Sequence, residues 1–238
     1  MRPHHVAAIA AEFQKAEAVS RYSYISSLGS WLRRIGCGAA TTGLGPNPRP
    51  GPRERVVSEV EYEAALRAAS PVGQLALILA HDCGLRAGTI VRLCRHNLDF
   101  RRGEISGRTK NAAYFRVPMT ARAREKLLWA GSLADPEETL LAAISRHRQP
   151  VSVQDLDHHV RVARKRAAIG SRWVLHDLRR TAARRVYERT RDVRKVQQLL
   201  AHRNLYQTVW YLGDVGGHLT AADLEPAPPG AAPERKTA

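Results

Sequence analysis

The spacing of apolar residues predicts a mainly helical chain. Near the N-terminus the pattern indicates two helices, over 7–19 and 20–35. Apolar residues recur at helical spacing in the second: Tyr24, Leu28, Trp31, Leu32 and Ile35. Ser58 and Glu61 form the S-x-x-E pattern of a capping box, which predicts a helix that ends near Ala69. A strongly apolar helix over 72–83 is expected to lie in the core.

The middle of the chain has a different pattern. Three short extended runs, 97–100, 104–107 and 114–118, are separated by turn residues and predict a small antiparallel meander. Helical patterns return over 120–130, 136–147, 153–168, 176–189, 192–201 and 204–212. The predicted fold class is therefore mainly α (α+β), with one three-stranded antiparallel sheet.

Proline and glycine mark the domain boundaries. Residues 43–53 hold four prolines and three glycines, a composition that disfavours helix and sheet. We therefore expect a short helical region at 1–42, a linker at 43–55 and a main domain at 56–224. The final segment, 225–238, has four prolines and almost no apolar residue to bury, and it is predicted to be disordered.

The charge of the chain points to an anionic partner. Its 238 residues include 38 Lys or Arg and 22 Asp or Glu, a net charge of +16. Nucleic acid is the commonest partner of so basic a protein, and a membrane surface is the alternative. No apolar run approaches the roughly 20 residues that span a bilayer, so a soluble, intracellular protein is expected. Three cysteines without a C-x-x-C pair suggest neither a disulfide framework nor a thiolate zinc site.

The densest positive charge lies between Arg172 and Arg203, a stretch with ten Arg or Lys residues and three acidic residues. A solvated helix face would explain many of these residues. His176 and Arg179, however, are three apart on a predicted helix, so both can approach one bound group. A guanidinium fork beside an imidazole suits a phosphate, because it offers paired donors and a titratable nitrogen.

The last helix carries a tyrosine whose role the local pattern leaves open. Leu205, Val209 and Leu212 form an apolar stripe that should face the core, with Thr208 and Tyr211 beside it. A partly exposed phenol near basic residues ionises more easily and could serve as a nucleophile. A tyrosine at this spacing is also common as ordinary packing.

Five segments in order resemble the active-site boxes of the tyrosine recombinase, or phage integrase, family. They are CGLRAGTIVRL (83–93), RTKNAAYFRVPM (108–119), HDLRRT (176–181), LAHRN (200–204) and TVWYL (208–212). The resemblance extends back to about residue 56 and implies the helical fold of DNA breaking-rejoining enzymes. Region 1–42 would then be a short, partial core-binding module, and 56–224 the catalytic domain.

The resemblance also implies a role for each matching residue. Tyr211 would attack a backbone phosphate to form a 3′-phosphotyrosyl link. Arg86 and Arg179 would stabilise the transition state, and His202 would hydrogen-bond a nonbridging oxygen. His176 would act as general acid or base. Lys110 would protonate the leaving 5′ oxygen.

The implied activity is site-specific recombination of double-stranded DNA by a homotetramer on paired sites, without metal, ATP or another cofactor. Accessory DNA-bending or directionality proteins are possible partners, and the expected location is the cytoplasm, at the nucleoid. Five basic residues are candidate DNA contacts or simply solvated charges: Arg180, Arg184, Arg185, Lys195 and Arg203.

Two alternatives remain open. Family members usually have an acidic residue three positions after the first arginine, where this chain has Thr89, and usually a fuller N-terminal domain. Both departures favour a non-catalytic DNA-binding relative. A type IB topoisomerase-like enzyme would use similar chemistry but relax supercoils without pairing two duplexes.

Overall fold

The computed structural model describes residues 2–13, 16–45, 47, 55–108 and 114–213. The chain divides into two compact units, Met1–Arg53 and Glu54–Ala238. The predicted tail at 225–238 lies outside the described residues, as do most of the predicted linker at 43–55 and the end of the predicted main domain. No helix in the described part of the chain has the length and apolar character needed to cross a membrane.

The described residues of the first unit form two α-helices and a 3-10 helix. Helix α1 spans Pro3–Phe13, α2 spans Ala18–Arg34 and the 3-10 helix spans Gly38–Leu44. Gly43 and Leu44 thus belong to this helical unit, whereas the sequence analysis placed them in the linker. Gly43 allows a close approach of the 3-10 helix to α1, since a Cβ atom there would collide with the carbonyl of Pro3.

The structure confirms the predicted helix α2, but only part of its apolar set faces the core. Tyr24, Trp31 and Ile35 are 45–50% exposed, whereas Ile25 and Leu32 are buried. Leu32 packs with Val6 from α1 in the core of this unit. Helical spacing identified residues near a common face, but the covered face is rotated from it, so that it includes Leu28 and Leu32 and excludes Tyr24, Trp31 and Ile35.

The second unit contains nine helices of the α type within its described residues. They are α3 (Glu59–Ala68), α4 (Pro71–His81), α5 (Ala87–Ile90), α6 (Ala121–Leu133), α7 (Leu140–Ala143), α8 (Val153–Arg166), α9 (Leu175–Thr190), α10 (Val193–Leu200) and α11 (Leu205–Leu212). Ser58 caps α3 as predicted, accepting a hydrogen bond from the backbone N–H of Glu61 at 3.3 Å. The helix predicted over 136–147 shortens to the single turn of α7.

The sheet confirms the predicted meander. Strands β1 (Leu98–Asp99), β2 (Glu104–Arg108) and β3 (Tyr114–Pro118) are antiparallel and lie in the order β1-β2-β3. Ile105 lies opposite Val117, and both are buried against the helices. Only one face of the sheet contributes to the core, which is why β3 alternates between exposed and buried residues.

Helix α4 is the centre of the core. Every residue from Leu75 to His81 is buried, and the helix packs against α3, α5, α6, α8 and α9. Such a helix is apolar on all sides because neighbours surround it. The protein is thus mainly helical with one small antiparallel sheet, and the chain leaving α4 enters the candidate site from the middle of the domain.

Candidate active site

The segment between α4 and α5 carries Arg86. Gly84 adopts a positive φ of 63°, and a Cβ atom at this position would lie 3.1 Å from Leu199 Cγ on α10. Glycine is therefore favoured here both by backbone conformation and by the close approach of α10. Arg86 follows at the N-cap position of α5, half-buried, with its carbonyl accepting hydrogen bonds from the first turn of that helix.

An ion pair holds the end of α4, just before this segment. Asp82 accepts hydrogen bonds from Arg122 on α6 at 2.9 and 3.0 Å, and it lies 2.8 Å from the buried ring of His81. Burial alone would raise the pKa of Asp82, but the contacts with His81 and Arg122 outweigh it and hold the pKa well below its usual range. The carboxylate therefore stays ionised and fixes the point from which the Arg86 segment departs.

Helix α9 positions His176 and Arg179. Asp177 accepts a hydrogen bond from the backbone N–H of Val174 at 2.9 Å, which stabilises the start of the helix. The Arg179 side chain is only 3% exposed, so it acts inside the protein. Its terminal nitrogens donate to the carbonyl oxygens of Gly84 and Leu200, the latter at 2.6 Å. Arg179 thus joins the Arg86 segment to the end of α10.

The turn between α10 and α11 carries His202. Ala201 has a left-handed backbone, with φ 45° and ψ 48°, and ends α10. The backbone N–H of His202 donates to the carbonyl of Gln197 at 3.1 Å, and the Gln197 amide donates to the carbonyl of His202 at 3.0 Å. Nδ1 of His202 lies 3.1 Å from the buried hydroxyl of Thr208, which holds the ring in place.

Tyr211 lies in the centre of these groups. Its hydroxyl donates to the carbonyl of His176 at 3.3 Å, and the charge of Arg179 acts on the phenol. The rings of His176 and His202 meet its ring edge-on, with centroids 5.3 and 5.6 Å away. The guanidinium carbon of Arg180 lies 4.8 Å from the ring centroid. Tyr211 is 9% exposed.

The last helix faces the core with a different side from the one predicted. Thr208, Tyr211 and Leu212 are buried, whereas Leu205 and Val209 are 39% and 50% exposed. Tyr211 packs with Ala183, Val196 and Leu200 between α9 and α10. The phenol is therefore more enclosed than the sequence suggested.

Opposing effects act on the pKa of the phenol. Burial raises the pKa of Tyr211, and the sequence-based expectation of a partly exposed, easily ionised phenol is wrong in this respect. Three guanidinium groups oppose the rise, in decreasing order of effect: Arg179, Arg180 and Arg86. The surrounding positive charge favours the phenolate, but burial outweighs it while no substrate is bound.

Both histidines of the site are neutral at pH 7. Burial and the charges of Arg179 and Arg86 lower the pKa of His202 to about 4. Burial, followed by neighbouring arginines, also lowers the pKa of His176. A neutral imidazole has one donor and one acceptor, so each ring can donate to an anion or accept a proton.

The structure gathers most of the residues that the sequence selected. Arg86, His176, Arg179, His202 and Tyr211 come together although they span 126 positions of the chain. Lys110 lies outside the described residues. Among the described residues, no group of three or more His, Cys, Asp or Glu side chains is placed to hold a metal ion.

The five candidate DNA contacts occupy different environments. Lys195 and Arg203 have exposed side chains. Arg184 pairs with Glu188 at 3.0 Å on the surface of α9. Arg185 donates to the carbonyl of His81 at 2.8 Å and so connects α9 to α4. Arg180 is 7% exposed and faces Tyr211.

Sequence reasoning missed two contacts in the site. Thr208 was expected only to lie beside the apolar stripe of the last helix, yet its hydroxyl contacts His202, and Arg180 was predicted as a DNA contact or a solvated charge. The i, i+4 spacing of His176 and Arg180 was the available signal, because it puts both side chains on the face that carries Arg179. That spacing cannot show what the face packs against.

The helical fold with its small sheet is that of tyrosine recombinase catalytic domains. A family model, "Phage integrase family", matches residues 55–215, which is more than half of the chain. The chain belongs to the phage integrase family.

Curated relatives and solved structures agree with this assignment. Tyrosine recombinase XerC of Proteus mirabilis is 26% identical over 208 residues, covering 83% of this chain and 68% of that protein. The chain spans 51% to 72% of the length of the six curated recombinases it matches. A lambda integrase dimer bound to a COC′ core site shares the fold, with TM-score 0.71 and 20% identity over 92% of this chain and 82% of that one. A lambda integrase tetramer bound to a Holliday junction gives TM-score 0.65 and 20% identity over 86% of this chain and 65% of that one.

Proposed function

We propose that the chain is a site-specific DNA recombinase that cleaves and rejoins strands through a covalent bond between Tyr211 and a 3′ phosphate. One observation carries the proposal. The rings of His176 and His202 pack edge-on against Tyr211, and the charges of Arg179 and Arg86 act on its phenol. Residues from four of the five boxes therefore meet at one phenol. The relatives and structural neighbours are named tyrosine recombinases and integrases, which supports recombination as the function.

In the proposed reaction the phenol oxygen attacks phosphorus and the bond from phosphorus to the 5′ oxygen breaks. The phenol gives up its proton as the new bond forms, and the 5′ oxygen gains one as it leaves. Because tyrosine keeps the phosphoester, no ATP is consumed when the strand is rejoined. Neutral His176 is suited to accept the phenol proton, and Lys110 is proposed as the donor to the 5′ oxygen.

Positive charge replaces a metal ion in this scheme. The transition state gathers negative charge on the nonbridging oxygens, which fixed donors stabilise more strongly than the ground state. Arg86 and Arg179 would supply guanidinium groups, and His202 a neutral donor. Arg179 is already held by two backbone carbonyls, so it loses little side-chain freedom when a phosphate binds.

The wider assembly is also part of the proposal. Double-stranded DNA in the cytoplasm, at the nucleoid, would be the substrate, and accessory DNA-bending or directionality proteins would assist. A homotetramer on paired sites is supported by the tetrameric lambda integrase among the structural neighbours. Residues 1–42 would act as a partial core-binding module joined by the 43–55 linker to a catalytic domain at 56–224, followed by a disordered tail at 225–238.

Covalent capture of DNA tests the reaction without knowledge of the target site. Purified protein is mixed with a library of nicked duplexes that carry a randomised central segment, because the nick lets the short product diffuse away and traps the adduct. Wild-type protein should retain labelled DNA on a denaturing gel, and Tyr211→Phe should retain none. An adduct that persists in Tyr211→Phe, or no adduct in either protein, would refute the proposal.

A non-catalytic DNA-binding relative is the second candidate. Thr89 favours it, since it is buried in α5 at a position where the family usually has an acid, and it cannot supply a negative charge to Arg86. This alternative requires that wild type and Tyr211→Phe behave identically in every assay. Any strand cleavage excludes it. Relaxation of a supercoiled plasmid without strand exchange would instead indicate the topoisomerase-like activity.

A further inference from the structure

Arg180 occupies an unexpected position for a residue in the most basic stretch of the chain. Its side chain is 7% exposed, and its guanidinium carbon lies 4.8 Å from the centroid of the Tyr211 ring. This distance is within the range of a cation–π contact, which gains strength when water is excluded. Arg180 is thus placed against the candidate nucleophile rather than on the exposed surface.

The helix explains this placement. His176, Arg179, Arg180 and Ala183 follow i, i+3, i+4 and i+7 spacing along α9 and share one face. Tyr211 from α11 packs on this face, with Ala183 in the same apolar cluster. The hydroxyl of Tyr211 donates to the backbone carbonyl of His176, and the guanidinium group of Arg180 lies over the ring.

Two histidine rings also contact Tyr211. The rings of His176 and His202 are nearly perpendicular to the Tyr211 ring, at interplanar angles of 88° and 82°. Unlike these neutral rings, the Arg180 guanidinium is a cation, which is attracted to the electron-rich face of an aromatic ring. When the phenol loses its proton the ring becomes richer in electrons, so the attraction to Arg180 grows at that moment.

We propose that Arg180 is a positioning residue for the nucleophile, which holds the Tyr211 ring and stabilises its phenolate form as the oxygen attacks. This inference rests on the proposed role of Tyr211. An interaction that strengthens as the reaction proceeds lowers the barrier, whereas one of constant strength does not. The effect of Arg180 on the phenol agrees with this, since its charge opposes the rise in the pKa of Tyr211 caused by burial.

Other charged or titratable groups also face Tyr211, and the test must separate them from Arg180. From α9 come His176 and Arg179, from the start of α5 comes Arg86, and from the turn before α11 comes His202. Arg180→Gln leaves all four in place and removes one charge. Arg180→Lys keeps that charge but loses the planar group. Arg189→Gln, at an exposed position of α9, is the matched control for net charge.

The decisive measurement is the pKa of the phenol at position 211, read by fluorine NMR from 3-fluorotyrosine placed there. It needs no DNA and no activity. We expect a higher pKa in Arg180→Gln, a smaller rise in Arg180→Lys and no change in Arg189→Gln. An unchanged pKa in Arg180→Gln would overturn the inference. If Arg180→Gln does not fold, the pKa of the phenol is measured in Arg180→Lys instead. A pKa equal to that of the unsubstituted protein would then overturn the inference.

Cleavage and binding assays complete the test. With nicked duplexes, Arg180→Gln should form adduct roughly 2- to 30-fold more slowly at pH 7, the range expected for one cation–π contact. The loss should diminish as the pH rises. Binding to a mixed-sequence duplex should keep its salt dependence, whereas a slope reduced by about 0.9 would show that Arg180 contacts phosphate instead. Absence of any adduct from wild type would refute the proposed function. The NMR titration would still test whether Arg180 lowers the pKa of the Tyr211 phenol.

Discussion

At the scale of single residues, burial decides how the site is charged before DNA arrives. Desolvation disfavours the charged form of every titratable group, and it therefore raises the pKa of Tyr211 and lowers those of His176 and His202. Arginine starts so far above neutral pH that Arg179 stays protonated even though burial lowers its pKa as well. The resting site therefore combines charged guanidinium groups with neutral imidazoles and a neutral phenol.

His202 should make the stability of the protein depend on pH. Its pKa is about 4 in the folded protein and near 6.5 in an unfolded chain, so between these values the unfolded state binds more protons. The free energy of unfolding should therefore fall as the pH decreases from 6.5 to 4, and this contribution is fully present above 6.5.

Urea denaturation at pH 7 and pH 4.5 checks this expectation. The His202→Gln variant lacks the titrating group, so it should lose less stability over this interval than the unsubstituted protein does. Equal losses in the two proteins would show that His202 titrates normally.

At the scale of elements, the site depends on how the segment between α4 and α5 is held. Asp82 anchors its beginning through Arg122, and Gly84 joins it to α9 and α10 through the Arg179 contact and the side chain of Leu199. Arg86 therefore has a defined position although Thr89 provides no carboxylate. The segment therefore contacts α6, α9 and α10, all of which are distant from it in sequence.

Replacing Gly84 with alanine should damage this junction. The positive φ and the contact with Leu199 together should cost about 1–3 kcal/mol of unfolding free energy. Gly103→Ala is the matched control, because Gly103 has a φ of 68° but a Cβ atom added there would meet no other atom within 4 Å, so its loss should come from backbone strain alone. Urea denaturation should show the larger loss for Gly84→Ala. Equal losses would mean that the contact with Leu199 has no energetic consequence.

At the scale of the whole molecule, only some of the basic residues behind the net charge of +16 are exposed and available to bind DNA. Several basic residues of the region 172–203 are used within the fold. Arg179 and Arg185 donate to backbone carbonyls, and Arg180 covers a tyrosine. Exposed residues such as Lys195 are the better candidates for phosphate contacts. The total charge thus overstates the number of contacts with a duplex.

Salt dependence separates these two groups of residues. Lys195→Gln should reduce the slope of log affinity against log salt by about 0.9 for a mixed-sequence duplex, as expected when one phosphate contact is lost. Arg185→Gln should leave the slope unchanged and lower the unfolding free energy by about 1–3 kcal/mol, because the carbonyl of His81 loses its charged donor. A reduced slope in Arg185→Gln with full stability would contradict this division.

The sequence by itself determined which elements form and which residue types the site offers. Helical spacing, the Ser58 cap and the alternation of Tyr114–Pro118 are local properties, and the structure confirms the elements that they predicted. The ordered boxes likewise identified the family. These signals act between residues close in the chain, so they can be recognised without knowledge of the fold.

Only the tertiary structure decided which face of each element is covered. Tyr24 and Trp31 on α2, and Leu205 and Val209 on α11, share an apolar face with their neighbours in sequence and yet are exposed. Arg180, predicted as a DNA contact or a solvated charge, lies instead against Tyr211. A periodic pattern defines residues that point the same way, but the partner that buries them comes from distant parts of the chain, and packing among those parts is what selects the face.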